Sequence, residues 1–180
     1  MAALCETLVQ EHEVIEQVLD ALEEESHMVA SGGTVDRVFF TGVIGFVRKF
    51  ADGIHHQKEE KVLFPALCEA GVPKDGGPVG VMLNEHDEGR HHIRAMEQAL
   101  VDAAEGDADA RENLVRESLG YVALLRAHIQ KENMILFPMA EQVLDMDQQQ
   151  SVRNAIDALE EESRSEKAAH RQWVADMRRR

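Results

Sequence analysis

The amino-acid sequence predicts an all-α fold, and three observations support this prediction. Of the 180 residues, 44% are hydrophobic but only 4% are aromatic and four are proline, a composition that favours helices over strands. Apolar residues recur at spacings of three and four, which is the helical period. Short stretches rich in glycine, aspartate or proline interrupt that period. The chain therefore suits one helical domain, or a domain with an appendage.

Five helical segments lie between these interruptions. The breaks fall at residues 31–34, 71–80, 105–109 and 145–147. The apolar period predicts helices over about 4–29, 35–70, 79–104 and 110–144, and a weaker pattern predicts a fifth over about 148–177. We assign residues 1–146 to a four-helix bundle and residues 147–180 to a peripheral C-terminal helix.

The short loops determine the topology that we expect. Connections of about four to ten residues suit antiparallel neighbours and hence an up-down-up-down four-helix bundle. In that arrangement the start of the first helix, the end of the second, the start of the third and the end of the fourth share one end of the bundle. Side chains from these four segments should therefore meet.

The charge balance excludes several classes of partner. A formal net charge of −15 would repel nucleic-acid phosphates and anionic lipid, and the basic cluster Arg178–Arg180 is too short to form a binding surface. No apolar run approaches the roughly 20 residues that cross a bilayer, and the first residues lack a signal-peptide pattern. We therefore expect a cytoplasmic protein without nucleic-acid or membrane partners. Cys5 and Cys68 form no CxxC motif and are interpreted as ordinary thiols.

A sequence repeat connects the second and fourth helices. The pattern H-x-Q-K-E-x-x-x-L-F-P begins once at His55 and once at His128. A further histidine in an acidic frame precedes each copy at nearly the same distance, His12 before the first and His86 before the second. Helices one and two, and helices three and four, are therefore two copies of one unit.

The repeat predicts a metal site. Residues four apart project from one face of a helix, so the histidine and glutamate of each H-x-x-x-E can reach ions at one level. Helix rise places all four histidines at a similar depth. Burying four imidazoles and two carboxylates costs several kcal/mol unless they are paired or bind metal. The predicted ligands are His12, His55, Glu59, His86, His128 and Glu132.

Other histidine and glutamate pairs are interpreted differently. His12/Glu16 and His56/Glu60 also have H-x-x-x-E spacing, but such pairs arise by chance in a chain this rich in both residues. A ferritin-like carboxylate site is the rival architecture, because Glu24/His27 and Glu88/His91 have E-x-x-H spacing. The expected topology places those two pairs at opposite ends of the bundle, which argues against it.

The six residues resemble the metal-binding pattern of the hemerythrin-like (HHE cation-binding) family, and the resemblance covers about positions 8–144. It implies a non-haem di-iron centre in which Glu59 and Glu132 bridge two iron ions, with an oxo or hydroxo group between them. Zinc or manganese stays open as the metal. The sequence departs from the oxygen-carrying hemerythrins at Arg90, where their third helix supplies another histidine. His91 is one alternative fifth ligand, and His27, His92 and His170 are expected to lie outside the site.

Three functions follow as expectations. The first is reversible binding of dioxygen or nitric oxide for sensing, storage or transport. The second is a di-iron oxidoreductase acting on peroxide or nitric oxide, with Arg90 either beside the ligand or paired with Asp87. The third is iron handling or repair of iron centres, which the absence of a cysteine-bearing segment from this sequence disfavours. Catalysis and oligomeric state stay open.

Overall fold

The computed structural model describes residues 4–177 and Arg179, in which all regular structure is helical. Arg178 and Arg180 of the basic C-terminal cluster lie outside the described residues. Helix α1 is Glu6–Ala30 and α2 spans 37–69; α3 is Pro78–Glu105, α4 spans 108–143 and α5 is Met146–Met177. None of the described helices has both the length and the apolar character needed to cross a bilayer. The predicted five-helix order is confirmed.

The local sequence explains where several helices begin and end. The carboxylate of Asp36 accepts hydrogen bonds from the backbone N–H groups of Val38 and Phe39 at the start of α2. Asp107 does the same for Ala110 at the start of α4. Gly106 ends α3 in the left-handed conformation, with φ of 101°, which costs glycine little. Side-chain caps and one glycine therefore set these boundaries.

Helix α2 contains two π-helical segments and α4 contains one. In α2, π-helical Val47–His56 and Glu59–Leu63 lie between the α-helical segments Arg37–Phe46 and Phe64–Glu69. In α4, π-helical Glu132–Leu136 lies between Ala108–Lys131 and Phe137–Val143. Pro65 and Pro138 follow these turns in both helices, where a missing N–H and a bulky ring disrupt regular α-helical bonding. The L-F-P motif thus continues each helix through a turn that begins at a predicted glutamate ligand.

The bundle has two apolar cores, one at each end. One core contains Leu8, Leu67, Met82 and Ala140, which come from the start of α1, the end of α2, the start of α3 and the end of α4. The opposite ends of the same helices form the other core. These contacts confirm the up-down-up-down topology. Buried histidines and glutamates, among them His12, Glu59, His86 and Glu132, lie along these helices between the residues of the two cores.

Helix α5 packs along the bundle and contributes to both cores. Val152 and Ile156 are buried in the first core and Val174 in the second. The ring of Trp173 stacks on Phe46 at a centroid distance of 5.7 Å. The division between residues 146 and 147 stays a prediction.

Candidate metal centre

The structure brings the four predicted histidine ligands together in two pairs. The Nε2 atoms of His12 and His55 are 3.0 Å apart, and those of His86 and His128 are 3.2 Å apart. All four rings are at most 2% exposed. Each pair joins one helix of a repeat unit to the other, so every helix of the four-helix bundle contributes one histidine.

The two predicted glutamates connect these pairs. Glu59 lies 3.4 Å from His55 Nε2 and 3.5 Å from His86 Nε2. Glu132 lies 3.2 Å from His12 Nε2 and 3.3 Å from His128 Nε2. Each carboxylate therefore faces one histidine from both halves of the chain, which is the arrangement that a bridging ligand requires.

The Nδ1 atom of each of these four histidines hydrogen-bonds to a neighbouring side chain. The Nδ1 atoms of His12, His55, His86 and His128 hydrogen-bond to Asn133 at 2.9 Å, Glu11 at 3.0 Å, Glu60 at 2.7 Å and Glu85 at 3.0 Å. An oxygen acceptor at Nδ1 places the proton there and leaves the Nε2 lone pair directed inward. Such partners orient metal-binding histidines and increase their basicity. The Nε2 atoms are thus prepared to bind a cation.

The buried oxygens of the two glutamates also fit a metal site. All four oxygens of Glu59 and Glu132 are buried, and none has a hydrogen-bond partner among the described residues. Burial and the facing Glu132 raise the pKa of Glu59 well above its ordinary range. Burial also opposes ionisation of Glu132, but His128 and His12 outweigh it and hold its pKa well below the ordinary range. Buried carboxylates without partners are costly, and cations would satisfy both.

Two groups of four side chains are spaced closely enough to hold one metal ion each. One group is His12, His55, Glu59 and Glu132; the other is His56, Glu59, His86 and His128. His56 thus lies in the second group, and it is also close to Asp52 and Glu60. Glu60 in turn hydrogen-bonds to His86; that the His56/Glu60 spacing arose by chance stays an interpretation. The pair His12/Glu16 behaves as expected, because Glu16 faces Arg126 instead. Sequence reasoning missed His56 because its counterpart in the second repeat is Ile129.

Arg90 lies beside the site and contacts its supporting carboxylates. Its guanidinium is 2.6 Å from Asp52 and Glu60 and 2.8 Å from Asp87. The expected Asp87 pair is therefore present, together with two further ion pairs. The hydrogen bond to His86, opposed by partial burial and assisted by Arg90, lowers the pKa of Glu60 to about 2. Arg90 thus keeps ionised a carboxylate that orients a predicted ligand.

The remaining histidines lie away from the two groups. His91 is exposed, so its role as an alternative fifth ligand has no support from the geometry. His92 hydrogen-bonds to Glu117 at 2.8 Å. His27 is exposed on α1, and His170 packs its ring edge against Phe46.

In each repeat unit, the glutamate that hydrogen-bonds to the histidine of H-x-Q-K-E also forms an ion pair with the lysine of that motif. The acidic residue before the first histidine of a unit contacts the lysine of H-x-Q-K-E, giving Glu11–Lys58 and Glu85–Lys131. In the first unit both residues are fully buried, and Glu160 and Lys167 of α5 join them. In the second unit Lys131 is 37% exposed. The repeated E-H dipeptide and the repeated lysine were the sequence signals for these contacts.

A cavity of about 220 Å³ borders one side of the site. His56, His86, Gly89, Arg90 and Tyr121 contribute to its wall. Burial and the charge of Asp52 raise the pKa of Tyr121 above its ordinary range, so its phenol stays protonated. The cavity therefore reaches the edge of the histidine cluster.

Comparisons with known proteins agree with this geometry. A protein of Mycobacterium tuberculosis is 26% identical over 77% of the chain and 54% of its own length. Iron-sulfur cluster repair proteins YtfE of Musicola paradisiaca and Pectobacterium carotovorum are 34% and 30% identical over 48% of the chain and 40% of their length. The chain thus spans about half, or less, of these curated relatives. No solved structure matches it. The family model described as hemerythrin HHE cation binding domain matches residues 3–140, so the chain belongs to the hemerythrin HHE cation-binding family.

Proposed function

We propose that this protein holds two iron ions, joined by an oxo or hydroxo bridge, and uses them to bind a small diatomic ligand, dioxygen or nitric oxide. The ligands of the pair are His12, His55, Glu59, His86, His128 and Glu132. The observation that carries the proposal is the pair of buried glutamates. Their four oxygens have no hydrogen-bond partner among the described residues, and the two carboxylates face four histidine Nε2 atoms.

The donor set favours iron among the candidate metals. Imidazole and carboxylate together suit iron, whereas copper(I) and structural zinc sites favour thiolate. Cys5, which is buried, belongs to neither group of candidate ligands. Two iron ions at this position would supply redox-active metal with coordination positions for an exogenous ligand.

The protein's own residues would determine what reaches the iron. The apolar cores above and below the polar layer restrict water, while the cavity beside His56 and His86 provides room for a small molecule. Tyr121, whose phenol is kept protonated by burial, is part of the wall of that cavity. These features suit a small, weakly polar ligand such as dioxygen or nitric oxide.

A second candidate is a di-iron oxidoreductase acting on peroxide or nitric oxide. Its support is the same tyrosine, because a protonated phenol can donate a hydrogen bond to a bound peroxide. Arg90 supports it less than the sequence suggested, since three carboxylates already pair with its guanidinium. Iron handling or repair is a third candidate, supported by the similarity to iron-sulfur cluster repair proteins YtfE.

Metal analysis of purified variants tests the site. We expect about two iron ions per wild-type chain and a sharp loss in Glu59→Ala and Glu132→Ala, because each removes a carboxylate that faces both histidine pairs. Glu97→Ala is the matched control, because Glu97 pairs with Arg48 on the surface. Two tightly bound ions in the Glu59→Ala/Glu132→Ala protein would contradict the proposal.

Gas titration then separates the functional candidates. Reduced, iron-loaded protein should change its absorption spectrum on adding dioxygen or nitric oxide and recover when the gas is removed. Stoichiometric uptake indicates a binding protein. Continued consumption of nitric oxide or peroxide with an added reductant would instead support the oxidoreductase.

A further inference from the structure

The two repeat units differ at a group of polar side chains on one side of the site. Aligning His55 with His128 places Asp52 and His56 of α2 opposite Leu125 and Ile129 of α4. The first unit therefore has a carboxylate and an imidazole where the second has aliphatic side chains. A core position would accept the aliphatic residues in both units, so the polar pair requires a separate explanation.

The surroundings of His56 hold its ring in a defined position beside His86. The residue is 6% exposed, and its Nδ1 lies 3.3 Å from Asp52, which in turn contacts Arg90. The ring stacks on His86 with a centroid distance of 3.7 Å and an interplanar angle of 12°. With Nδ1 directed to a carboxylate, Nε2 is the nitrogen available to a cation, as in the four predicted histidine ligands.

His56 completes one of the two metal groups. One ring nitrogen of His56 lies within 4.8 Å of ligand atoms of Glu59, His86 and His128. Arg90 stands where the third helix of the oxygen-carrying hemerythrins supplies another histidine, and it contacts the Asp52 carboxylate that holds His56. The second helix thus offers a nitrogen where the third helix does not.

We propose that His56 is a third histidine ligand of the metal ion held by His86 and His128. This inference rests on the proposed two-metal site. It makes the two ions unequal, with three histidine nitrogens at one and two at the other. The ion held by His12 and His55 then keeps more coordination positions for a small exogenous ligand.

Proton NMR of the cobalt(II)-loaded wild-type protein tests the number of ligands directly. Each histidine bound through Nε2 contributes one solvent-exchangeable Nδ1–H resonance with a large paramagnetic shift. Five such resonances are expected if His56 binds, and four if it does not. If cobalt(II) does not bind at all, the proposed function itself fails; two bound ions with four resonances would overturn this inference alone.

Substitution with chemical rescue tests whether His56 acts as a ligand or as packing. His56→Gly should weaken binding of one cobalt(II) ion by at least about tenfold and change the visible d–d absorption. Added imidazole, which can enter through the adjoining cavity, should restore both. His92→Ala is the matched control, since that histidine bonds to Glu117 outside the metal groups. An unchanged spectrum in His56→Gly, or lost binding that imidazole does not restore, would overturn the proposal.

Discussion

The two repeat units carry the same ligands but place them in different surroundings. In the first unit the supporting pair Glu11–Lys58 is fully buried beneath α5. In the second unit the equivalent pair Glu85–Lys131 reaches the surface. The cavity lies between the units, with His56 of the first and His86 of the second in its wall. Duplication therefore explains the ligand set, whereas α5 and a few substitutions make the two halves unequal.

Because of this difference, the same ion pair contributes differently to the stability of the fold at two equivalent positions. A pair on the surface is screened by water and contributes little to stability. A buried pair has lost its hydration, so removing one partner leaves the other charge uncompensated. In the first unit, burial opposes ionisation of Glu11, but His55, Lys58 and Lys167 outweigh it and hold its pKa well below the ordinary range. The buried network is thus a feature on which the fold depends.

The largest expected effect comes from substituting the two repeat lysines. Lys58→Met should lower the free energy of unfolding by about 3–5 kcal/mol, because it breaks a fully buried ion pair. Lys131→Met, the matched control, should lower it by about 0–1 kcal/mol, because its side chain is partly exposed. Urea unfolding of the metal-free proteins measures both. Equal losses would show that α5 does not distinguish the two units.

A second difference between the units is Arg90, whose counterpart is Glu16 when His86 is aligned with His12. Arg90→Ala should keep both metal ions but weaken their binding by about 10- to 100-fold, since it frees the carboxylates that orient His56 and His86. Glu16→Ala should leave affinity unchanged, because Glu16 contacts Arg126 on the surface. Competition with a metal indicator measures the two affinities.

The same variant has a pH signature in the metal-free protein. Glu60 has its pKa lowered to about 2 in the folded protein from an ordinary value of 4.5. Its contribution to stability is therefore complete above pH 4.5 and is lost as the pH falls through 2. Without Arg90 the folded pKa rises, so the contribution in Arg90→Ala is smaller and is lost at higher pH. An acid-unfolding midpoint equal to that of wild type would argue against this role of Arg90.

The smallest effects concern the contact of α5 with the first unit. A Cβ atom at Gly42 would lie 2.6 Å from Cζ2 of Trp173, whereas one at Gly45 meets nothing within 4 Å. Gly42→Ala should therefore destabilise the protein by about 1–2 kcal/mol through overpacking, and Gly45→Ala should stabilise it by about 0.5–1 kcal/mol. Trp173 is the single tryptophan, so a red shift of its fluorescence in Gly42→Ala alone would report movement of α5.

Repetition in the sequence explains which features could be predicted. The helices and the topology follow from apolar period and loop length, and the two copies of H-x-Q-K-E named the side chains that meet in the polar layer. Because a residue had to occur in both units to be predicted as a ligand, His56 was excluded; Ile129 is its counterpart in the other unit. A search based on repetition finds what two halves share and overlooks what one half has gained.

The contacts of α5 could not be predicted either, and the reason is different. Lys58 and Lys131 occupy equivalent positions in one motif, so nothing local distinguishes a buried lysine from an exposed one. Burial of Lys58 depends on Glu160 and Lys167, which are distant in sequence and lie in the segment with the weakest apolar period. Tertiary packing decided this point.

All four helices of the bundle contribute a histidine to the proposed metal site, so a chain that has lost its fold cannot present the ligand set. Metal would therefore bind the folded form and stabilise it by mass action, by about 2.7 kcal/mol when free metal is 100 times its dissociation constant. A chain without metal would unfold more often and be cleaved sooner by proteases. The abundance of this protein would then follow the iron supply, even with synthesis held constant.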